Sequence, residues 1–583
     1  MAGTRQHELV ARLDTLEEGD AFDVIVLGAG AAGLTAGALA AGAGARVLIV
    51  EAAGLVGGTS ALTAGTLWAP GRYGSDGLSP AEDRVRAGRY LEQLIGADDL
   101  AALRETFLDE AGAAIELIER TTAARFVQRS HHPDYVGDVD GAAIQGRAIE
   151  AVDFDGRLLG PALALIRPPL KEFTVLGGFA PNRDETAAYS VIATDPLSAG
   201  SFRAALQAAP RMIRHVGDRV RGRRSSHLTM GNALVGRLLY TLLSRPTATV
   251  LLHTEATELV TGDSGVTGVR LRSGTVGRTL TVRSALISAT GGFNRDGARR
   301  AELLGTTPER WSAVADGNRG RAHRLLEGAG AAFVRQGSDA FWAPVSLPAR
   351  RDGSQGVYPH FALDRGKPGF LVVDSGGRRY LDESQAYHTF GETMIAHDVV
   401  PPAFLIADAA AVRRYGIGAV RPGGWGLRRR LREGYVVQAG DPARLADALG
   451  VDNDVLRQTI ERFNADAERG LDTQFCRGET PYQRNLGARG REPNPSLGPL
   501  RTPPYYAVRL YPGDIGSASG FATDERARAL DAGGRPIGRL YILGSDMRSI
   551  MGGRYPGPGI TLGPAVVFAH LAVRHALGED YAS

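Results

Sequence analysis

Residues Phe22–Glu51, FDVIVLGAGAAGLTAGALAAGAGARVLIVE, decide the fold. An apolar run, Val24-Ile25-Val26-Leu27, leads through a glycine turn into a small-residue helix from Ala31 to about Ala43, and a second apolar run from Arg46 to Val50 follows. This is a βαβ pattern. The turn Gly28-Ala29-Gly30-Ala31-Ala32-Gly33 leaves a strand and opens a helix, the context a G-x-G-x-x-G fingerprint requires. Gly28 permits the tight turn, Gly30 lets the main chain approach a pyrophosphate at the helix N-terminus, and Gly33 lets the helix sit close to the sheet. Glu51, followed by Ala52, ends the second strand 18 residues past Gly33, where a carboxylate accepts hydrogen bonds from ribose hydroxyls and disfavours a 2′-phosphate. Alone the glycine pattern is weak, because such turns are common in α/β proteins. Strand, helix and Glu51 together make it a dinucleotide site.

Just beyond lies a second cluster, Gly57-Gly58-Thr59-Ser60-Ala61, with Ala64-Gly65 after it. Its small residues and hydroxyls suit close contact with phosphate or flavin, and NAD needs no such loop. Further on, a helix is expected over Gly231–Ser244 and strands over Thr249–Leu259, Val266–Arg272, Thr279–Val282 and Ala285–Ala289, the last ending in Thr290-Gly291-Gly292. From Trp342 to Tyr511 the texture shifts to more Pro, aromatics and Arg. A strand Arg539–Leu543, a Gly/Pro-rich loop Gly552–Gly559 and a helix Thr561–Leu577 close the chain in the style of its opening. The expected organisation is an N-terminal helical extension (1–20), a discontinuous Rossmann-like α/β domain (21–341 and 512–583), and an inserted α+β domain (342–511).

The 583 residues allow two or three packed units. With 43% hydrophobic and 22% charged residues the composition is that of an ordinary globular protein. A net charge of +3 supplies no long-range field for nucleic acid, and the basic runs Arg221, Arg223, Arg224 and Arg428 to Arg430 read as solvated faces. One cysteine, Cys476, excludes an internal disulfide framework and a Cys-rich metal or iron–sulfur site; no metal is expected, and a reducing, cytoplasmic setting fits. Met1–Asp20 reads as a polar amphipathic helix with Leu9, Leu13 and Leu16 on one side, without a signal peptide's apolar core. No run of about 18 apolar residues exists to span a membrane, which leaves peripheral contact open.

Four stretches together resemble the flavoprotein superfamily of fumarate reductases and 3-ketosteroid dehydrogenases: Phe22–Glu51; Gly57–Ala61 with Ala64-Gly65 and Leu67–Gly71; Ala289–Phe293; and the segment from Gly538. The resemblance implies FAD as cofactor and a fumarate reductase flavoprotein-like fold. It places Thr290, Gly291, Gly544, Asp546, Thr561 and Leu562 along the flavin and Ala256 by the adenine. Three tyrosines resemble the ketosteroid branch. Tyr135 stands in His132-Pro133-Asp134-Tyr135 ahead of Gly146-Arg147, Tyr387 in Glu383-Ser384-Gln385-Ala386-Tyr387 before Phe390-Gly391, and Tyr555 in Tyr555-Pro556-Gly557-Pro558-Gly559.

The implied reaction is α,β-desaturation of a ketone. The Tyr555 hydroxyl and Gly559 amide would hold the carbonyl oxygen, Tyr387 would take the α-proton with Tyr135 supporting its phenolate, and the hydride would pass to the flavin. Glycine at 559 is expected because a side chain would block the substrate's approach. Any one of 17 tyrosines is more often a satisfied buried aromatic, and it is the flanking motifs that single out these three. His131, His132 and His388 lie near two of them, but loop histidines are usually solvated and receive no role. The implied partners are a small apolar ketone, steroid or alicyclic, and an unidentified electron acceptor. Two departures bear on the steroid reading: Ile560 replaces a polar residue of the family pattern, and Arg157–Met230, rich in Pro, Phe and Arg, matches nothing and is a candidate cover for the cleft. A fumarate-reductase-like dicarboxylate reaction would need paired cations, for which only Arg554 stands near the Tyr555 loop. A flavoprotein scaffold without catalysis would leave the three motifs unexplained.

Overall fold

The computed structural model describes residues 10–305, 307–361, 363–397 and 401–578. The opening βαβ unit forms as its pattern dictates: strand Ala21–Leu27, helix Ala31–Gly42 and strand Val47–Val50. Alanines and glycines make the helix slim enough to be buried almost all round, and Gly37 brings it against Ile49. Among the described residues the main sheet has nine strands. Its order runs Val10–Ala11, Ala248–Leu251, Val47–Val50, Ala21–Leu27, Val276–Ser288, then the antiparallel pair Gly265–Ser273 and Glu255–Gly262. Pro536–Ile542 also pairs in parallel with Val276–Ser288, Leu286 opposite Leu540, so a strand near the end of the chain completes a sheet begun at its start. Helix Leu562–Leu577 packs on helix Ala31–Gly42.

Three expectations need correction. Thr279–Val282 and Ala285–Ala289 are one strand, Val276–Ser288, with a register shift between Val282 and Ala285. Its first half pairs in the antiparallel meander and its second half in the parallel sheet, which is why its apolar pattern breaks in the middle. Conversely, Thr249–Leu259 is two strands parted by a turn in which His253 takes φ +52. The N-terminal helix is absent where the chain is described: Val10–Ala11 is extended and pairs with Val250–Leu251, and Leu13–Thr15 is a single 3-10 turn. Leu13 and Leu16 still point into the core, as a sheet-edge segment rather than a helix, while Leu9 lies outside the described residues.

A second sheet is built from Ala340–Ser346, Tyr358–Pro359, Phe370–Val373, Ala403–Asp408, Val436–Ala439 and Tyr505–Ser517. It carries its own apolar clusters, one around Phe370, Phe390 and Leu405, the other around Leu371, Leu456 and Phe463. The segment that matched nothing in sequence holds two helices, Arg183–Thr194 and Ala199–Val220. Asp153, Glu185 and His227 meet within 4.8 Å at its base. Burial lowers the imidazole's pKa, but the two carboxylates outweigh it and push His227 up to about 9.

Candidate active site and cofactor cradle

Loops distant in sequence converge on the N-terminus of helix Ala31–Gly42. The Gly57 amide donates to Ala29 O (2.8 Å), Ser60 Oγ accepts from the Ala31 amide (3.0 Å), and Thr59 Oγ1 accepts from the Ala315 amide (3.1 Å). The second glycine loop therefore lies directly over the first. The glycines differ in what they allow. A methyl at Gly28 would strike the Ala289 carbonyl, and one at Gly33 the Gly28 carbonyl, so both are fixed by packing. A methyl at Gly30 would find Ser60 Oγ at 3.7 Å, and one at Gly58 only Gly30 Cα at 3.8 Å. These two keep a space open before the helix amides, as a pyrophosphate requires. The Gly544 turn seats against Ala32 from the far side.

Glu51 accepts from the Ala29 and Ala53 amides (2.9 Å each), which fixes the carboxylate at the end of its strand. Burial raises its pKa, and these amides act against that rise. The chain crosses beside it, His253 and Thr254 amides donating to Ala53 O (3.1 Å) and Glu51 O (3.0 Å), and Ala256 follows in strand Glu255–Gly262. Gly65 is held by packing on Met230, with exposed Ala64 beside it. Asp546 is fully buried and accepts from Ser288 Oγ (2.7 Å) and the Thr290 and Gly292 amides (2.6 and 3.0 Å). Its side chain orders the Thr290-Gly291 turn, which leaves only its main chain to offer a ligand. The open pocket before the helix, the ribose-end acceptor and the second glycine loop fit FAD.

Each tyrosine is held by its own buried anchor. Tyr387 begins helix Tyr387–Ala396, and the residues before it are clamped by Arg379 to Glu383 (2.7 Å) and Asp472 (2.6 Å) and by Arg477 to Glu383 (3.0 Å). Arg365, wholly buried, donates to the Glu383 and Gln385 carbonyls (2.6 Å each). Asp134 takes Arg147 (2.6 Å), the Trp68 indole (2.8 Å) and the Ala143 amide (3.0 Å), while Arg147 also binds Asp83 (2.8 Å). This explains the Asp134-Tyr135 and Gly146-Arg147 pairing: aspartate and arginine form the ion pair on which Tyr135 rides. Tyr135 and Tyr555 are joined through Pro556, whose carbonyl accepts from the Tyr135 amide (2.8 Å) and the Tyr90 hydroxyl (2.6 Å).

So anchored, the three rings meet. The Tyr135 and Tyr387 hydroxyls are 3.4 Å apart, and ring centroids stand 5.4 Å (Tyr135–Tyr387), 5.7 Å (Tyr135–Tyr555) and 5.1 Å (Tyr387–Tyr555) apart. Burial drives all three phenols above their ordinary pKa, so the resting cluster is neutral. Thr561 caps and Leu562 begins helix Leu562–Leu577, and the Thr561 hydroxyl acts against the rise of the Tyr555 phenol.

The comparisons decide the family. The chain matches the FAD binding domain family over residues 23–562. The chain belongs to this family. Within it, this flavoprotein is 32% identical to the 3-oxosteroid 1-dehydrogenase of Mycolicibacterium smegmatis over 95% of its length and 97% of the relative's. It is also 32% identical to a 4-oxocyclohex-2-ene-1-carboxylate 5-dehydrogenase of Sinomonas cyclohexanicum, over 95% of this chain and 93% of that one. A 3-ketosteroid Δ1-dehydrogenase of Sterolibacterium denitrificans, solved with 1,4-androstadiene-3,17-dione, superposes with a TM-score of 0.87 at 30% identity, covering 96% and 99% of the two chains. The flavoprotein is an FAD-binding oxidoreductase of the ketosteroid dehydrogenase branch, with the α/β fold and inserted domain that the resemblance implied.

Gly559 (φ +88) has a packing reason of its own to lack a side chain, because a methyl would collide with the main chain of Thr66 and Leu67. One sequence expectation changes. His132 and His388 are not solvated. His388 is buried, its Nδ1 accepting from the Trp342 amide (3.0 Å) and its Nε2 facing the Gly553 carbonyl (3.0 Å), which makes it the neutral Nε2–H tautomer bracing the Tyr555 loop. Ile560 is buried in the main core. Sequence reasoning missed Tyr482, 4.6 Å from Tyr135 between ring centroids, and Phe361 and Phe341 against Tyr387 and Tyr555. The capping box at Thr480-Pro481-Tyr482-Gln483 marks a helix start, but nothing in it points to Tyr135.

Proposed function

We propose that this flavoprotein removes hydrogen from adjacent α- and β-carbons of a cyclic ketone, with 1,2-dehydrogenation of a 3-ketosteroid as the leading case. The observation that carries this reading is the convergence of three phenols from distant segments, two with hydroxyls 3.4 Å apart. FAD, when bound, supplies the two-electron acceptor. The chain's own groups supply the rest. The Tyr555 hydroxyl and Gly559 amide polarise the carbonyl, which acidifies the α-carbon, and one such donor in a preorganised site contributes about 3 kcal/mol. Tyr387 accepts the α-proton and Tyr135 donates a hydrogen bond to the oxygen that must carry charge. Packed rings around them exclude water, which favours a neutral phenol over a carboxylate as the resting base.

A second reading concerns the ring. Arg183, at the start of helix Arg183–Thr194, contacts His132 Nε2 at 3.2 Å, and among the described residues no carboxylate lies within ion-pairing distance of it. It acts electrostatically on both Tyr135 and Tyr482. Glu150 and Asp184 act on this cation only from beyond ion-pairing distance, and a carboxylate on the substrate ring would suit it. Arg554 is exposed, which gives a dicarboxylate clamp no support. The test is anaerobic bleaching of the flavin. Androst-4-ene-3,17-dione should bleach it under the steroid reading, and 4-oxocyclohexanecarboxylate, with loss of the response in Arg183→Gln, under the second. Bleaching by neither ketone, with oxidation of the reduced flavin by fumarate, would overturn both.

A further inference from the structure

Among the described residues three arginines are sealed from solvent, Arg147, Arg365 and Arg477, and they differ in what answers their charge. Arg147 holds Asp83 (2.8 Å) and Asp134 (2.6 Å), and Arg477 holds Glu383 (3.0 Å). Arg365 has no carboxylate within ion-pairing distance among the described residues. Its guanidinium donates to four main-chain carbonyls: His360 O from Nε (2.6 Å), Glu383 O and Gln385 O from Nη1 (2.6 Å each) and Phe361 O from Nη2 (2.9 Å). Carbonyl dipoles solvate a buried cation without cancelling it, and a buried charge left without a counter-ion is costly. A tether alone could be neutral, so the retained charge calls for an anion that the resting protein lacks.

The carbonyls it holds bracket the base. Gln385 precedes Tyr387 by two residues, and the Phe361 ring lies 4.9 Å from that of Tyr387. The guanidinium stands 5.2 Å from the Phe390 ring, one turn along helix Tyr387–Ala396. Burial raises the Tyr482 phenol, and Arg365 leads the groups that oppose that rise, ahead of Arg183. Tyr482 in turn sets its ring 4.6 Å from that of Tyr135. Few other charges face the cluster. Arg183 acts on Tyr135 in the same sense as on Tyr482, and Asp382, pushed up to about 6 by burial, opposes both arginines at Tyr482. Glu383 is committed to Arg379 and Arg477, Asp134 to Arg147, and Glu392 faces His388 (3.3 Å). Burial and neighbouring cations keep His132 neutral.

We propose that Arg365 is a positioning residue whose standing positive charge stabilises the phenolate that the cluster must form before Tyr387 takes the α-proton, an inference that rests on the reading of Tyr387 as base. One proton leaves the Tyr135–Tyr387 pair for solvent, the α-proton restores the neutral phenol, and the hydride goes to the flavin. The cation is answered only in the reactive state, so it favours phenolate over phenol as well as holding the chain.

Three variants separate charge from tether. Arg365→Gln loses the charge, Arg365→Lys keeps it but loses most of the planar fork to the carbonyls, and Asp382→Asn removes the opposing acid. Each FAD-loaded protein is titrated by phenolate absorbance, minus the same protein carrying Tyr387→Phe, and by the pH profile of anaerobic flavin reduction. In Arg365→Gln both midpoints should rise by about one pH unit, about a tenfold loss of rate at a fixed pH on the rising limb. Arg365→Lys should keep the wild-type midpoints although its Tm falls. Asp382→Asn leaves Arg365 in place, so it serves even where the glutamine variant does not fold, and it should lower the midpoints. Wild-type midpoints in Arg365→Gln, or an equal rise in Arg365→Lys, would overturn the proposal and leave Arg365 a tether. So would midpoints that rise in Asp382→Asn. The absorbance titration needs no ketone, so a flavin that no ketone reduces would count against the proposed reaction and not against this result.

Discussion

The cofactor cradle and the tyrosine cluster are built on opposite principles. The cradle is main chain shaped by glycine within a few turns, and each glycine answers to a neighbour a short distance off. The tyrosine cluster is three side chains, two of them positioned by ion pairs buried elsewhere, Arg147 with Asp134 and Asp83 for one and Arg379 and Arg477 with Glu383 for the other, and the third by hydrogen bonds to the Pro556 and Gly553 carbonyls. The first can be damaged only where it stands. The second can be damaged from a distance.

The sharpest break between them is chemical. Tyr387→Phe should cut turnover about 10³-fold, within the range of a lost general base, and Tyr555→Phe about 10²-fold, both with flavin content unchanged; steady-state rates per bound flavin decide it. The distant route comes next. Arg147→Met leaves Asp134 and Asp83 buried without their cation, and should cost about 3–5 kcal/mol, read as a fall in denaturation midpoint, with turnover lost although no group in the cluster was altered. The cradle behaves differently. Gly30→Ala has room for its methyl and should fold normally yet purify with little flavin, whereas Gly28→Ala, at φ +104 against the Ala289 carbonyl, should lose stability as well.

Proton equilibria give the smaller effects. Burial holds the three phenols above their ordinary pKa, so turnover limited by the base should climb from neutral into alkaline pH. Tyr387→Phe should flatten that rise. His227, raised from 6.5 to about 9 by Asp153 and Glu185 against the effect of burial, stabilises the helical segment fully below about pH 6.5, and the contribution disappears as pH passes about 9. Amide exchange in residues 183–220 should quicken there ahead of the cradle's, and His227→Gln should remove the difference.

What could be read beforehand follows the same division. The Gly28–Gly33 turn, Glu51 and the second glycine loop are local in sequence, so their spacing carries their geometry. Tyr135, Tyr387 and Tyr555 stand in motifs, and ion pairs explain the first two: aspartate, glutamate and arginine occur beside those tyrosines because they hold them. Tyr482 and Phe361 reach the cluster through tertiary packing alone and had no local signature. The N-terminal leucines misled because a spacing that suits a helix face was met by a segment drawn into the sheet edge by Val250 and Leu251. Helix Ala199–Val220 lies within Arg157–Met230, the stretch that matched nothing and gave no expectation beyond a cover for the cleft.

The pairing of Leu286–Ser288 with Leu540–Ile542 sets a timetable for synthesis. At about 5–20 residues per second, the partner strand emerges from the ribosome roughly 12–50 s after the strand it must join. Throughout that interval the second half of Val276–Ser288 presents bare amides and carbonyls on one side of a largely assembled sheet. The nascent chain therefore passes through a prolonged, aggregation-exposed stage in which trigger-factor-like shielding, or slow translation before the inserted domain, would govern the yield of native protein.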